Sequence, residues 1–347
     1  MSDQASVSQF HLRAVRRWLL VVAAMIFLTL AAGGVTRLTE SGLSIVEWKP
    51  VTGMLPPLSG ADWQSEFTKY QAIAQYRERN RGMSLGEFKT IYWWEWSHRQ
   101  LARATGAVFL LPFLIFLWRG WIPPKLRMRL WTIFAGGTLL GAVGWWMVSS
   151  GVTGALVKVS QYRLAFHLAL ACAVYAAVLW AAQQLNERAP SDTSTRLRKT
   201  ALAIGVLVLC QIYLGGLVAG LDAGMVYNTW PLIDGALVPS AERLWFATPA
   251  WRNLFENTLT VQFDHRMLAY GIWLLALTHA YDEWRTRHEV SGAVLLAVMV
   301  TLQAALGIIT LLLQAPILLA LAHQVMAIIV FTVAIAHAER LSKAQAP

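Results

Sequence analysis

In the stretch IYWWEWSHRQLAR, residues 91–103, a carboxylate, an imidazole and two guanidiniums stand close together: Glu95, His98, Arg99 and Arg103. At helical spacing Glu95 and His98, three residues apart, share one face. The chain then runs on as ATGAVFLLPFLIFLW, apolar enough to enter a bilayer. Ionisable side chains in such a place are costly and usually face a bundle interior or a cavity. Three more histidines, His167, His265 and His323, are placed alike, each some 5 to 8 residues from the outer end of an apolar run. That is very roughly 10 Å along a helix axis. Four imidazoles at matched depth form two pairs, His98 with His167 and His265 with His323.

Paired imidazoles on facing apolar helices suit a haem, whose iron takes axial histidines while the ring buries itself among apolar side chains. A non-haem metal or a proton relay is the alternative, although zinc sites usually add thiolates or carboxylates at close spacing. Arg99 and Arg266 each follow the first histidine of a pair, and Arg37 lies at the end of the first apolar run. Guanidiniums there could bind haem propionates bidentately, or could simply snorkel to the interface. Aligning His98 with His265 sets Glu95 opposite Gln262. Only the first pair therefore has a titratable neighbour. A carboxylate near lipid is expected to hold its proton more tightly than in water, which suits a proton donor or acceptor. The alternative is a structural Glu95–Arg99 ion pair at i,i+4. The asymmetry assigns chemistry to the first pair and a resident redox cofactor to the second.

The elements that must position these groups are membrane spans. The chain has 347 residues, 56% hydrophobic and 14% charged, with mean hydropathy +0.48; a soluble protein usually carries about a quarter charged residues. The expected fold class is all-α integral membrane, with eight spans at 18–36, 91–118, 128–148, 161–184, 199–219, 258–281, 291–312 and 317–337. The net charge of +10 is distributed in short clusters, among them Arg13, Arg16 and Arg17, then Arg119, Lys125, Arg127 and Arg129. Arg188, Arg196, Arg198 and Lys199 form the next cluster, with Arg285, Arg287, Arg340 and Lys343 beyond it. That pattern fits cytoplasmic loops and cytoplasmic termini rather than nucleic-acid binding. The first apolar run is too long for a cleavable signal and reads as a true span. Cys172 and Cys210 fall inside apolar runs and read as buried, without a disulfide. His11, His279, His288 and His337, near inner span ends, read as interfacial or solvated.

Two outer segments, 37–90 and 220–257, are rich in Trp, Pro and Gly. The first is expected to form turns and an amphipathic helix lying on the membrane surface. The chain also repeats. GGVTRLTESG (33–42) parallels GGLVAGLDAG (215–224), and EWSHRQLA (95–102) parallels QFDHRMLA (262–269). SSGVTGALVKVSQYRLAFH (149–167) parallels ALGIITLLLQAPILLALAH (305–323), with a glycine sixteen residues before each histidine. Two tandem, pseudo-symmetric four-helix bundles are expected, 1–184 and 185–347, as parallel repeats about an axis normal to the membrane. The small-residue runs AAGG and LAIG could mediate helix contacts in a homo-oligomer.

With these residues the sequence resembles the haem A synthase family, in its alphaproteobacterial and mitochondrial branch. The carriers are GGVTRLTESGLSI, EWSHRQLARATG, the His167 span, GGLVAGLDAGMVYNTWPLIDG, FDHRMLAYGIW and LLALAHQ, covering residues 18 to about 337. The resemblance implies an inner-membrane bacterial enzyme with haem sites towards the periplasm. It would oxidise the C8 methyl of haem O to a formyl group, by successive hydroxylations to a gem-diol that loses water, giving haem A for terminal oxidases. It further implies that His265 and His323 ligate a cofactor haem b, that His98 and His167 flank the substrate haem O, and that Glu95 is required for turnover. The implied partners are a membrane electron donor, haem O synthase and oxidase assembly factors. The cysteine pairs that another branch carries in its outer loops are absent here.

The rival readings are a bis-histidine cytochrome for quinol electron transfer, which needs no carboxylate in one half only, and a transporter, whose broken midplane helices are not evident. A prenyl transferase would need Asp-rich magnesium motifs, which the sequence lacks.

Overall fold

The computed structural model describes residues 8–186, 194–286 and 290–342. Arg188, Arg287, His288 and Lys343 lie outside the described residues. Within them the regular structure is helical, apart from a lone bridge between Ile233 and Ala236. The long helices are α1 (Gln9–Leu38), α2 (Leu85–Trp118), α3 (Pro124–Val152), α4 (Gln161–Gln184), α5 (Thr195–Gly220), α6 (Thr258–Thr286), α7 (Val290–Leu312) and α8 (Ile317–Ser342).

Most of them begin or end outside the apolar windows because polar residues finish the hydrogen bonding of their termini. Ser8 accepts from the His11 amide at 3.4 Å. Ser84 and Glu87 form a reciprocal capping box at the start of α2, and Pro124 opens α3, where a missing N–H costs nothing. Seven of the eight are long and apolar enough to cross a membrane. The exception is α6, which has the length but carries Asp264, His265, Arg266, Asp282, Glu283 and Arg285.

The helices α1, α4, α5 and α8 pack against one another, with α2 beside α1 and α6 beside α5. Pairings recur between the two halves: α1–α2 and α5–α6, α3–α4 and α7–α8, α1–α4 and α5–α8. One pairing does not recur, because α6 packs along α7 whereas α2 touches α3 only sparingly. Gly151, sixteen residues before His167, packs against Leu43 of the outer segment, and the glycine at His167 is Gly144. Seven residues, about two helical turns, separate the two, so the third sequence parallel does not hold for its glycine.

Close helix crossings rest on glycine where no side chain fits. A methyl group added at Gly216 would lie 2.8 Å from the Ala165 Cα, and one at Gly220 would lie 2.8 Å from the Gln161 Cα, joining α5 to α4. The runs AAGG and LAIG are also used internally. Gly33 faces His98, Gly34 faces Gln324, and Gly205 faces Ile335. Cys172 is buried as expected, but Cys210 is exposed on the outside of α5, a correction to its buried reading.

The outer segment 37–90 is a folded cap. Its helix Gly60–Gln71 buries Trp63, Phe67 and Tyr70, spaced to lie on one face. These pack with Leu43, Ile45, Phe88, Tyr92 and Val148 in a cluster of their own. The expected surface-lying amphipathic helix therefore turns its apolar side to the protein rather than to lipid, each buried aromatic contributing roughly 1.5–3 kcal/mol.

Because the α4–α5 crossing leaves no room at Gly216, Gly216→Val is expected to destabilise the protein by about 1–3 kcal/mol. The measurement is thermal unfolding in detergent. An unchanged Tm would show that the crossing relaxes freely.

Candidate functional site

The four histidines are held alike. Each imidazole rests edge-on against a glycine of a neighbouring helix: His98 on Gly33, His167 on Gly144, His265 on Gly215 and His323 on Gly307. A methyl group at those glycines would lie 3.1, 3.0, 3.3 and 2.7 Å from the respective ring Cε1. His98 and His167 lie near enough for each ring to feel the other, as do His265 and His323, so the structure brings together the two expected pairs. Neither pair has a third His, Cys, Asp or Glu ligand within reach among the described residues. Two imidazoles without a carboxylate or thiolate fit a haem iron better than a bare ion. The Nδ1 atoms of His98 and His167 are buried with no hydrogen-bond partner among the described residues.

The second pair is gripped more firmly. Gln211 of α5 places its Nε2 3.0 Å from His265 Nδ1 and donates to the His265 carbonyl at 2.9 Å. Gln303 of α7 does the same for His323, 3.1 Å from Nδ1 and 3.1 Å from its carbonyl. Thr29 occupies the position of Gln211 in the first half, and Leu140 stands four residues before Gly144, as Gln303 stands before Gly307. Sequence reasoning missed both glutamines. The available signal was their recurrence four residues before Gly215 and Gly307, the two glycines that hold the second histidine pair.

Glu95, 2% exposed, accepts from the Ser44 hydroxyl at 2.7 Å, the Ile45 amide at 2.7 Å and Arg99 at 2.5 Å. Arg99 continues to the carbonyls of Ile45 and Glu47, and Arg103 to those of Lys49 and Pro50. Arg99 and Arg103 also line a cavity of about 400 Å³ beneath the cap, with Trp96 and Tyr92. The second half repeats the device without the carboxylate. Gln262 donates to the carbonyls of Ala223 and Tyr227, and Arg266 donates to those of Tyr227 and Leu232. Both arginines thus hold outer segments in place, and the i,i+4 ion pair of Glu95 with Arg99 is formed.

Arg37 crosses between the halves. It pairs with Asp222 at 2.8 Å and also donates to the Ala219 carbonyl. Lys158 joins Asp222 and approaches Glu40 at 3.8 Å, while Arg79 holds Glu40 at 2.6 Å. Glu40 and Asp222, matched in the sequence repeat, both take left-handed backbone geometry, φ 54° and 50°. Partial burial alone would raise the Asp222 pKa, but the Lys158 and Arg37 charges outweigh it and hold the carboxyl below its usual range. In the cap, hydrogen bonds from Lys49 and Lys69 likewise lower the Glu47 carboxyl.

Residues 16–335 match the family described as cytochrome oxidase assembly protein (COX15-CtaA). The chain is 60% identical over 335 residues to the heme A synthase of Bradyrhizobium diazoefficiens, covering 96% of this chain and 93% of that protein. It is 59% identical over 334 residues to the heme A synthase of Rhodopseudomonas palustris strain HaA2, with 96% and 91% covered. To that of Bradyrhizobium sp. strain BTAi1 it is 56% identical over 334 residues, with 95% and 92% covered.

Two outcomes follow from the grips described. Gln211→Leu removes a partner of an axial candidate, and groups that orient metal-bound histidines are worth about 10–100-fold in affinity. The haem retained through purification should fall, whereas Thr29→Ala should leave it unchanged; pyridine-haemochrome assay reads both. For Asp222, a lowered folded pKa means stabilisation present above the usual aspartate range and lost as pH falls through it. The Tm deficit of Asp222→Asn against the parent protein should be full at neutral pH and vanish in acid below that range.

Proposed function

The chain belongs to the cytochrome oxidase assembly protein family, and on that premise we propose that it is an oxidoreductase of haem A synthesis, converting the C8 methyl of haem O to a formyl group. The two halves divide the work. His265 and His323 hold a haem b, with Gln211 and Gln303 fixing their rings. His98 and His167 receive haem O, and their ungripped Nδ1 atoms suit a ligand that must come and go. The resident haem b supplies one-electron redox equivalents when bound.

The observation that carries the assignment is Glu95. It lies one turn from His98 on α2, buried, and its counterpart Gln262 cannot take or give a proton. Arg99, Ser44 and the Ile45 amide aim the carboxylate, so a proton can be held or moved at its oxygens without rearrangement of the cap. The cap itself, with Trp63, Phe67 and Tyr70 packed inward, keeps bulk water from the outer side of the site.

In this reading α6 is the eighth span: Arg266 and Glu283 are buried, His279 meets His337 of α8, and Asp282 pairs with Arg196 of α5. The halves 1–184 and 185–347 are tandem repeats, and the recurring helix pairings support that reading. The inner basic clusters point to cytoplasmic termini, with the histidines towards the periplasmic side of the inner membrane. Electrons come from a membrane donor, with haem O synthase and oxidase assembly factors as neighbours in the same traffic.

The test is co-expression with a source of haem O, followed by purification and chromatography of the extracted porphyrins. Haem b together with haem A or its hydroxymethyl precursor is expected, and haem b alone would favour a simple electron-transfer cytochrome. Glu95→Gln keeps the size of the side chain, as at Gln262, and removes its ability to exchange a proton. It should retain haem b and lower product by about 10²–10⁴-fold; normal product formation would remove Glu95 from the chemistry.

A further inference from the structure

A second group of coordinating side chains lies at the other end of the bundle, far from the paired histidines. His279 of α6 and His337 of α8 point their Nε2 atoms at each other, 2.9 Å apart. The Glu283 Oε1 lies 3.8 Å from His279 Nε2. One ligand atom from each of the three falls within 4.8 Å of the others. All three side chains are buried, with residue exposures of 1% for His279, 0% for Glu283 and 4% for His337. This overturns the expectation that His279 and His337 are interfacial or solvated.

Their placement is not incidental to the helices. His279 and Glu283, four residues apart, share one face of α6 and turn it to α8. Gly292 of α7 leaves room for the third group, since a methyl group there would lie 2.6 Å from His337 Nδ1. His279 stands fourteen residues after His265, and His337 fourteen after His323. Each is therefore about 21 Å along its helix from the histidine above and on nearly the same face. The first half has Pro112, Phe116 and Ala181 at the corresponding positions, so the set belongs to the second half alone. Packing does not require it, because the first half fills the same places with apolar side chains.

We propose that His279, Glu283 and His337 form a binding site for one divalent first-row metal ion of the zinc class, linking the ends of α6 and α8. Two neutral imidazoles and one carboxylate are the borderline donor set that such ions favour, with a fourth position left for water. Tetrahedral coordination at Zn–N of about 2.0–2.1 Å separates two nitrogens by roughly 3.4 Å, a small opening of the observed pair. The ion converts a buried carboxylate and two lone pairs into one compact coordination unit, tying the base of the histidine-bearing helices together. A haem does not fit here, as the imidazoles already meet edge to edge with ring centroids 5.1 Å apart.

The test uses the full-length, haem-loaded protein in detergent, stripped of loose metal with a chelator and re-equilibrated with zinc chloride. Haem iron and zinc are counted together by plasma mass spectrometry. About one tightly held zinc per chain is expected, falling to background in the double variant His279→Gln/His337→Gln and at least tenfold weaker in Glu283→Gln. Haem content serves as the check that the variants fold. No zinc on the parent protein overturns the site, as does zinc retained unchanged by the folded double variant. Should the double variant lose its haem as well, His337→Asn alone decides by the same criteria.

Discussion

An imidazole can be useful inside an apolar bundle only if its ring is aimed, and aiming needs a wall that does not move. Here the wall is backbone. Glycines on neighbouring helices lie against His98, His167, His265, His323 and His337, close enough that a methyl group would collide with the ring. Polypeptide backbone in a hydrogen-bonded helix is far stiffer than any side chain. Edge contact with it limits the ring to a narrow set of orientations without a single polar bond. Which edge each ring turns to its neighbouring helix follows from those contacts.

Polar grips are added to this common frame unequally. The second pair of histidines has an amide on each ring, while the first pair has the rim of the site occupied by a carboxylate. A cofactor that stays for the life of the protein benefits from fixed ligands, because reorganisation on each electron transfer is then small. A substrate that must leave as product benefits from ligands that let go. The outer segments follow the same division. Both are pinned through arginines at corresponding helix positions, but only the first pin includes a group able to exchange a proton.

Much of this was legible in the sequence. Seven of the eight expected spans could be read from hydropathy because lipid demands apolar length, and the histidine pairs because ionisable groups at one depth are improbable by accident. The Glu95–Gln262 contrast needed only the repeat. Gln211 and Gln303 were missed because a glutamine in an apolar run carries no charge and no period of its own. Gly144 was not legible as the glycine at His167, because its spacing from that histidine differs by seven residues from that of Gly307 and His323 while the helical pattern stays intact. The amphipathic helix 60–71 was assigned to lipid because the sequence shows that a face is apolar but not what covers it. His279 and His337 were read singly, yet their shared fourteen-residue offset from His265 and His323 was present in the text of the chain.

The different glycines at His167 and His323 limit how far one half of the chain can stand in for the other. Once the glycine facing His167 is Gly144 and the one facing His323 is Gly307, a segment traded in the original register delivers Val300 to the first position. A branched side chain there would strike the ring. The two segments are therefore not interchangeable at this position, however alike the surrounding helices are.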